Sequence, residues 1–243
     1  MDTSLPSTKP SFGNEILQAL PAEEMRRLRP HLTRIRMVNG AVLHQAGERI
    51  EHVLFVEQGF ISMVAAADGA ESRVEVGLIG RESLAGALAL IAPGATSYVQ
   101  AMVQMPGTAY RIPVVALLAS LEQTPTLQRL MLQAFEASIA QLSQTAACNS
   151  RHTVPERLAR WLLMAHDRVD GDELPLTQEF LAIMLAVRRP GVTIAIGELQ
   201  AAGLVRHSRG RIIICGRLGL EIATCVCYDH VRKFVATLIA REL

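Results

Sequence analysis

Arg188, Arg189, Arg206, Arg209 and Arg211 crowd a stretch of the chain that holds one acid, Glu198. A guanidinium presents a planar fork of N–H donors that fits a phosphate or a guanine edge. A basic run is otherwise just a solvated face, so its meaning depends on the element that carries it. The second set of reactive side chains is Cys148, Cys215, Cys225 and Cys227. Cys225-Val226-Cys227 followed by His230 has the look of a metal spacing. Leu218 to Glu242 reads as one helix, however, and positions i and i+2 on a helix point about 200° apart. That disfavours one ion taking both thiolates, so the expectation is buried free thiols and no metal or other cofactor. Cys148 and His152, four apart near a domain joint, suggest at most a redox-sensitive thiol. There is no nucleophile elbow, phosphate loop or zinc-protease motif. No residue is assigned a catalytic role, and the chain reads as a non-enzyme.

The elements around the arginines give them a purpose. Thr177 is a helix N-cap, with Leu176 and Leu181 as the apolar staple around it. A helix over Gln178 to Leu185 buries Leu181, Met184 and Leu185. A short turn, Ala186 to Arg189, follows. Pro190 suits the first turn of a second helix, where its missing N–H costs nothing. Val192, Ala195, Ile196 and Leu199 form the buried face of that helix, and Gly203 ends it. Leu204 to Arg206 and Arg211 to Cys215 read as two strands around His207-Ser208-Arg209-Gly210. This is a winged helix-turn-helix. A helix fits the major groove and meets it with its N-terminal residues, which places Arg188, Arg189 and Thr193 at the DNA. Arg206, Arg209 and Arg211 on the wing reach the flanking backbone.

Upstream, Thr153-Val154-Pro155-Glu156 is a capping box opening a helix that buries Leu158, Trp161, Leu162 and Ala165. From Val114, and strongly from Thr126, the pattern is a long helix with two apolar stripes. Leu127, Met131, Ala134, Ser138 and Leu142 form one, and Leu132, Phe135, Ile139 and Ala146 the other. A helix covered on two sides can lie on its own domain and pair with the same helix of a second subunit. The first stripe is the expected homodimer interface. Between Arg34 and Pro113 short β-forming runs (Val53 to Val56, Ile61 to Val64, Val74 to Leu78, Tyr98 to Val103) alternate with turn signals, including Gln58-Gly59, Asp68-Gly69 and Pro106-Gly107. That spacing argues a small all-β unit. Asn14 to Leu32 is a short helical stretch burying Ile16, Leu20, Met25 and Leu28.

The 243 residues suit two modest domains. Residues 1–150 carry a net charge of −2 and residues 151–243 one of +3, so the basic excess lies with the reader. The expected division is a tail at 1–13, the β unit at 14–121, the long helix and hinge at 122–150, and the reader with a C-terminal helix at 151–243. No apolar run approaches the roughly 18–20 residues of a membrane span. With no signal-peptide pattern and no disulfide framework, a cytoplasmic protein without membrane association is expected.

Taken together these residues resemble the Crp–Fnr superfamily of bacterial regulators. Leu43-His44-Gln45-Ala46-Gly47-Glu48, Val53-Leu54-Phe55-Val56 and Gln58-Gly59-Phe60-Ile61 are similar to the strand-turn-strand pattern of its jelly-roll-like β-roll. Leu176-Thr177-Gln178-Glu179 opens the reader in the family's manner. The resemblance implies an α+β fold: a β-roll sensor, a long dimerisation helix and a C-terminal winged helix-turn-helix. It implies double-stranded DNA with an inverted-repeat operator as partner, a second copy of the chain, and RNA polymerase as a further contact. Glu82 matches the family's ribose-binding glutamate, so Arg81, Glu82 and Ser83 mark the candidate effector pocket. From Glu82 to Tyr110 there is no Arg, Lys or His, and a phosphate buried without a cation is costly. An effector other than a cyclic nucleotide, or none at all, is expected. The iron–sulfur branch needs N-terminal cysteines, and residues 1–147 have none. His44 and His52 are possible haem ligands but read as ordinary surface histidines. Arg189 matches the family's first base-contacting arginine, whereas Pro190 and Ile194 replace a glutamate and a second arginine. The competing reading is a ligand-binding signalling module whose DNA reader has lost specific binding.

Overall fold

The computed structural model describes residues 12–66 and 73–240. Most of the expected tail and the Asp68-Gly69 turn lie outside these residues. The N-terminal helical stretch is two helices, α1 (Glu15–Ala19) and α2 (Ala22–Leu28), separated where Pro21 follows an extended Leu20. Asn14 caps α1 by accepting from Leu17 N–H, while its buried amide donates to the carbonyls of Val56, Arg81 and Ser83. One side chain thus pins the N-terminus to a strand and to a turn of the β unit.

That β unit comprises β1 (Thr33–Met37), β2 (Val42–His44), β3 (His52–Ala66), β4 (Arg73–Ile79), β5 (Leu84–Ala85) and, after a short helix α3 (Leu88–Ile91), β6 (Gln100–Pro113). All pairings are antiparallel, with the path β1-β6-β3-β4 and with β2 and β5 pairing to β6 and β3. Two expected turns are corrected. Gln58-Gly59 and Pro106-Gly107 do not separate strands; they face each other as irregularities inside the long β3–β6 pair. A Cβ on Gly59 would strike the carbonyls of Met105 and Pro106, and one on Gly107 would strike that of Gln58. Glycine is there for close backbone approach, and the chain bends without reversing.

From Pro113 the chain becomes helical, through α4 (Val114–Leu121) and the 27-residue α5 (Pro125–Arg151). Leu127, Met131 and Ala134 are 0%, 2% and 7% exposed and pack with Ile16, Leu17, Phe55, Ile112 and Leu117. Leu142 lies over Gly77 of β4, and the Gln141 amide makes two bonds to the main chain of Leu78. Ser138 is turned back onto the Ala134 carbonyl. The stripe expected to pair with a second subunit is therefore occupied by the chain's own core. Leu132 and Ile139 of the other stripe are 54% and 48% exposed. Periodicity shows that a helix has two apolar faces, and only packing decides which one the monomer uses.

The reader follows as α6 (Val154–His166), β7 (Glu173–Leu174), α7 (Gln178–Met184), α8 (Arg189–Ala201), β8 (Val205–Ser208), β9 (Arg211–Ile214), α9 (Arg217–Ala223) and α10 (Cys227–Ala240). The capping box of α6 is present in both directions. The reader core of Leu158, Leu162, Leu181, Val192, Ile196 and Ile212 continues into Phe60, Val64 and Leu78 of the roll. Phe60 meets Trp161 edge-on at 6.3 Å. The single helix expected over Leu218 to Glu242 is interrupted at Thr224–Val226, where Thr224 is extended.

Candidate DNA interface

The first reader helix starts where Thr177 Oγ1 accepts from Phe180 N–H at 3.1 Å. It stops where Ala186 adopts φ 49° and Val187 N–H bonds back to the Ala182 carbonyl at 3.0 Å. This is the six-to-one closure that usually takes glycine at the left-handed position. The chain then turns by 104° between α7 and α8, within the range of a helix-turn-helix. Val192, Ala195, Ile196 and Leu199 are buried as the sequence requires, which leaves Arg188, Arg189, Thr193, Ile194 and Gly197 on the outside.

Each expected DNA residue is exposed. Arg188 precedes the first turn of α8, and Arg189 opens it. Arg189 pairs with Glu179 of α7 at 3.0 Å. Both side chains are more than 60% exposed, so the pair is worth little and can be exchanged for another anion. Thr193 Oγ1 donates to Gln178 Oε1 at 2.9 Å. On the wing, β8 and β9 reverse through Arg209-Gly210, with Gly210 at φ 70°. Arg211 pairs with Glu173 of β7 at 3.0 Å. Strand β7, which pairs with β9, makes the wing a three-stranded sheet; at two residues it is too short for a period-2 signal. A groove lined by Gln178, Thr193, Gly197, Gln200 and His207 runs between α7, α8 and the wing. The backbone N–H of His207 donates to Gln200 Oε1, which ties β8 to α8.

Two residues of this face were not among the expected DNA contacts. Ile194 is 63% exposed, and an apolar group there can meet a thymine methyl. Its signal was its position off the buried face of α8. Gln178 gave none, because it reaches the face only through the packing of α7 on α8.

The candidate effector residues turn elsewhere. Arg81 pairs with Asp170 at 2.9 Å and Glu82 with Arg168 at 2.7 Å, so both tie the roll to the loop after α6. Glu82 and Ser83 do line a cavity of about 270 Å³ with Glu15, Leu130, Ser138, Val235 and others from α1, α5 and α10. Arg81 does not. Arg168 brings to that wall a cation the stretch itself lacks, but Glu82 already neutralises it. Burial, with Glu82 beside it, pushes the Glu15 carboxyl up. Two carboxylates against one engaged guanidinium do not make a phosphate site.

A β-roll, a long helix and a winged helix-turn-helix with an arginine-bearing outer face define a class of two-domain, DNA-binding transcription regulators. Residues 34–124 match the family model of the cyclic nucleotide-binding domain, and residues 156–222 that of the Crp-like helix-turn-helix domain. The chain belongs to the Crp–Fnr family of transcription regulators. No curated protein matches the sequence. Among solved structures, the c-di-GMP responsive global regulator CLP of Xanthomonas campestris is 19% identical at a TM-score of 0.65, covering 81% of this chain and 100% of that one. FixK2 from Bradyrhizobium japonicum is 15% identical at 0.67, covering 80% and 98%. A crp/fnr-family regulator from Eubacterium rectale is 16% identical at 0.67, covering 87% and 98%. At such identities the likeness is one of fold.

Proposed function

We propose that the protein acts as a homodimer that sets α8 of each subunit into successive major grooves of an inverted repeat. Arg188, Arg189, Thr193 and Ile194 face the bases and nearest phosphates, and Arg206, Arg209 and Arg211 face the flanking backbone. The carrying observation is the segregation on α8: every large apolar side chain but Ile194 is buried, while both arginines and Thr193 are exposed. The exposed arginines gather at the start of α8 and on the adjoining wing, which distinguishes this face from an ordinary solvated one.

Leu132, Phe135 and Ile139 of α5 form the proposed dimer seam. They recur at three- and four-residue spacing, as in a coiled-coil seam, and two of them stay exposed in the single chain. The β-roll responds to a signal other than a cyclic nucleotide, because the two arginines near the cavity, Arg81 and Arg168, are already paired. Calorimetry with cyclic AMP should show no micromolar binding, and such binding would refute that point.

Selection of bound fragments from the source genome, followed by sequencing, tests the main reading. Inverted repeats with half-sites about one helical turn apart are expected. Failure of the wild-type protein to bind any duplex would mean that the reader has lost its function.

A further inference from the structure

The interruption between α9 and α10 overturns the expectation that Cys225 and Cys227 point apart. Cys225 lies in the break and Cys227 opens α10, so both sulfurs turn inward against the end of α5. There they meet Cys148, in the last turn of α5, and His152, its C-cap. Cys148 Sγ stands 3.5 Å from Cys225 Sγ, and His152 Nδ1 stands 3.5 Å from Cys227 Sγ. All four ligand atoms lie within 4.8 Å of one another. We propose that Cys148, His152, Cys225 and Cys227 form a site for one thiophilic divalent ion of the zinc class.

The fit is geometric first. Two sulfurs at about 2.3 Å from one ion in a tetrahedron stand roughly 3.8 Å apart, and a sulfur and a nitrogen slightly less. The observed separations need only small rotamer adjustments to converge on a centre. The ligands of an iron–sulfur cluster are spread over two or more irons and cannot all stand this close, so a single ion suits this spacing better. The donor set of three sulfurs and one imidazole is soft and four-membered, as in closed structural zinc sites. The three thiols are 1%, 5% and 1% exposed, which leaves no place for a catalytic water.

The surroundings suit an anionic cluster. Three thiolates around a divalent ion carry a net charge of −1. On the Cys148 side, α6 supplies Arg157 and Arg160, both below 10% exposed. Their bonds go to neutral oxygens: Arg157 to Asn149 Oδ1 and the Leu185 carbonyl, Arg160 to Thr145 Oγ1. Arg160 Nε has no hydrogen-bond partner among the described residues. Arg160 already has the Glu75 carboxyl as a charged neighbour, while Arg157, bonded to neutral oxygens, would gain from a nearby negative charge. Gln144 Nε2 donates to Cys227 Sγ at 3.0 Å, the sort of outer contact that orients a metal ligand. The thiols release their protons to solvent as the ion binds. A Cys148–Cys225 disulfide would use two of the four groups and leave Cys227 and His152 without a role.

An ion here fastens three separate segments: the end of the long helix, the hinge before the reader, and the start of the closing helix. It would hold the reader at a set angle to α5. The full-length protein should be purified anaerobically under reducing conditions with zinc in the medium. Metal analysis is expected to find one ion per protomer. Cobalt added to the chelated protein should give thiolate-to-cobalt charge-transfer bands and tetrahedral d–d bands, both displaced by zinc. At zinc a hundredfold above its dissociation constant, the unfolding midpoint should rise by roughly 5–10 °C. Cys225→Ser and Cys227→Ser should each lose the cobalt bands, with circular dichroism confirming the fold. Cys215→Ser, whose thiol is exposed on the wing, should keep them. No stoichiometric ion in the wild type, a Cys148–Cys225 disulfide as its resting form, or cobalt bands unchanged in all three variants would each overturn the proposal.

Discussion

Arg189 and Arg209 are both exposed arginines on the reader, yet their settings give them different tasks. Arg189 opens α8, the element proposed to enter the groove, and it is held towards its face by a weak pair with Glu179. Arg209 sits at the tip of the two-residue turn between β8 and β9, and the flanking DNA backbone is its proposed partner. Arg189→Ala should cost roughly 1–3 kcal/mol on the best site and blur one position of each half-site. Arg209→Ala should weaken all sequences about equally and reduce the salt slope by about one per subunit. Competition binding at several salt concentrations separates the two. Equal loss on specific and random DNA for Arg189→Ala would demote it to a phosphate contact. The left-handed Ala186 is a further local test. A non-glycine residue there costs about 1 kcal/mol, so Ala186→Gly should stabilise the reader by up to roughly that amount in urea melts. Destabilisation would show that the turn is not strained.

At the scale of elements, α5 decides what a charge does by the face it lands on. Ile139 is half-exposed in the single chain, so Ile139→Glu should leave monomer stability within about 0.5 kcal/mol. In a dimer built on the Leu132–Phe135–Ile139 seam it would set two like charges across the two-fold axis, and sedimentation should show monomers. Met131 is 2% exposed against α1 and the roll. Met131→Glu buries a carboxylate in apolar surroundings, with a cost on the order of 3–5 kcal/mol. It should lower the melting temperature before it changes the association state. A stable monomer from Met131→Glu together with a dimer from Ile139→Glu would reverse the assignment of the two faces.

Across the whole molecule the roll and reader are joined by polar contacts set into a shared core. Glu75 of β4 is buried, accepting from Ser62 Oγ at 2.6 Å and from Trp161 Nε1 at 2.6 Å. Burial raises its pKa from 4.5 to about 7, against the opposing effect of those two bonds. A carboxyl whose folded pKa is raised stabilises the folded state fully below its unfolded pKa. That stability is lost as pH rises from about 4.5 through 7, and the shift corresponds to about 3 kcal/mol. The joint should therefore loosen as pH rises through neutrality. The chain has one tryptophan, so Trp161 fluorescence reports on this contact directly. Glu75→Gln keeps an acceptor for the indole and cannot ionise; its fluorescence should be flat over that range. A pH response of equal size in Glu75→Gln would assign the titration to another group.

The features legible in the residues alone were local. The caps at Thr153 and Thr177, the buried faces of α6 and α8, the tight turn before Pro190 and the basic wing follow from residue type and helical period. The same holds for the order of roll, long helix and reader. Each is governed by neighbours within a turn or two of chain. Packing between distant residues settled the rest. It selected which stripe of α5 the monomer buries, since both are apolar and only the roll's shape distinguishes them. It turned two apparent turns into facing bulges, because glycine permits close approach as readily as reversal. It engaged Arg81 and Glu82 with the loop after α6, over eighty residues away. It also broke the last helix at Thr224, which brings Cys225 and Cys227 to Cys148 and His152. Spacing along a helix cannot foresee that convergence, because the break itself is set by packing against α5 and α6.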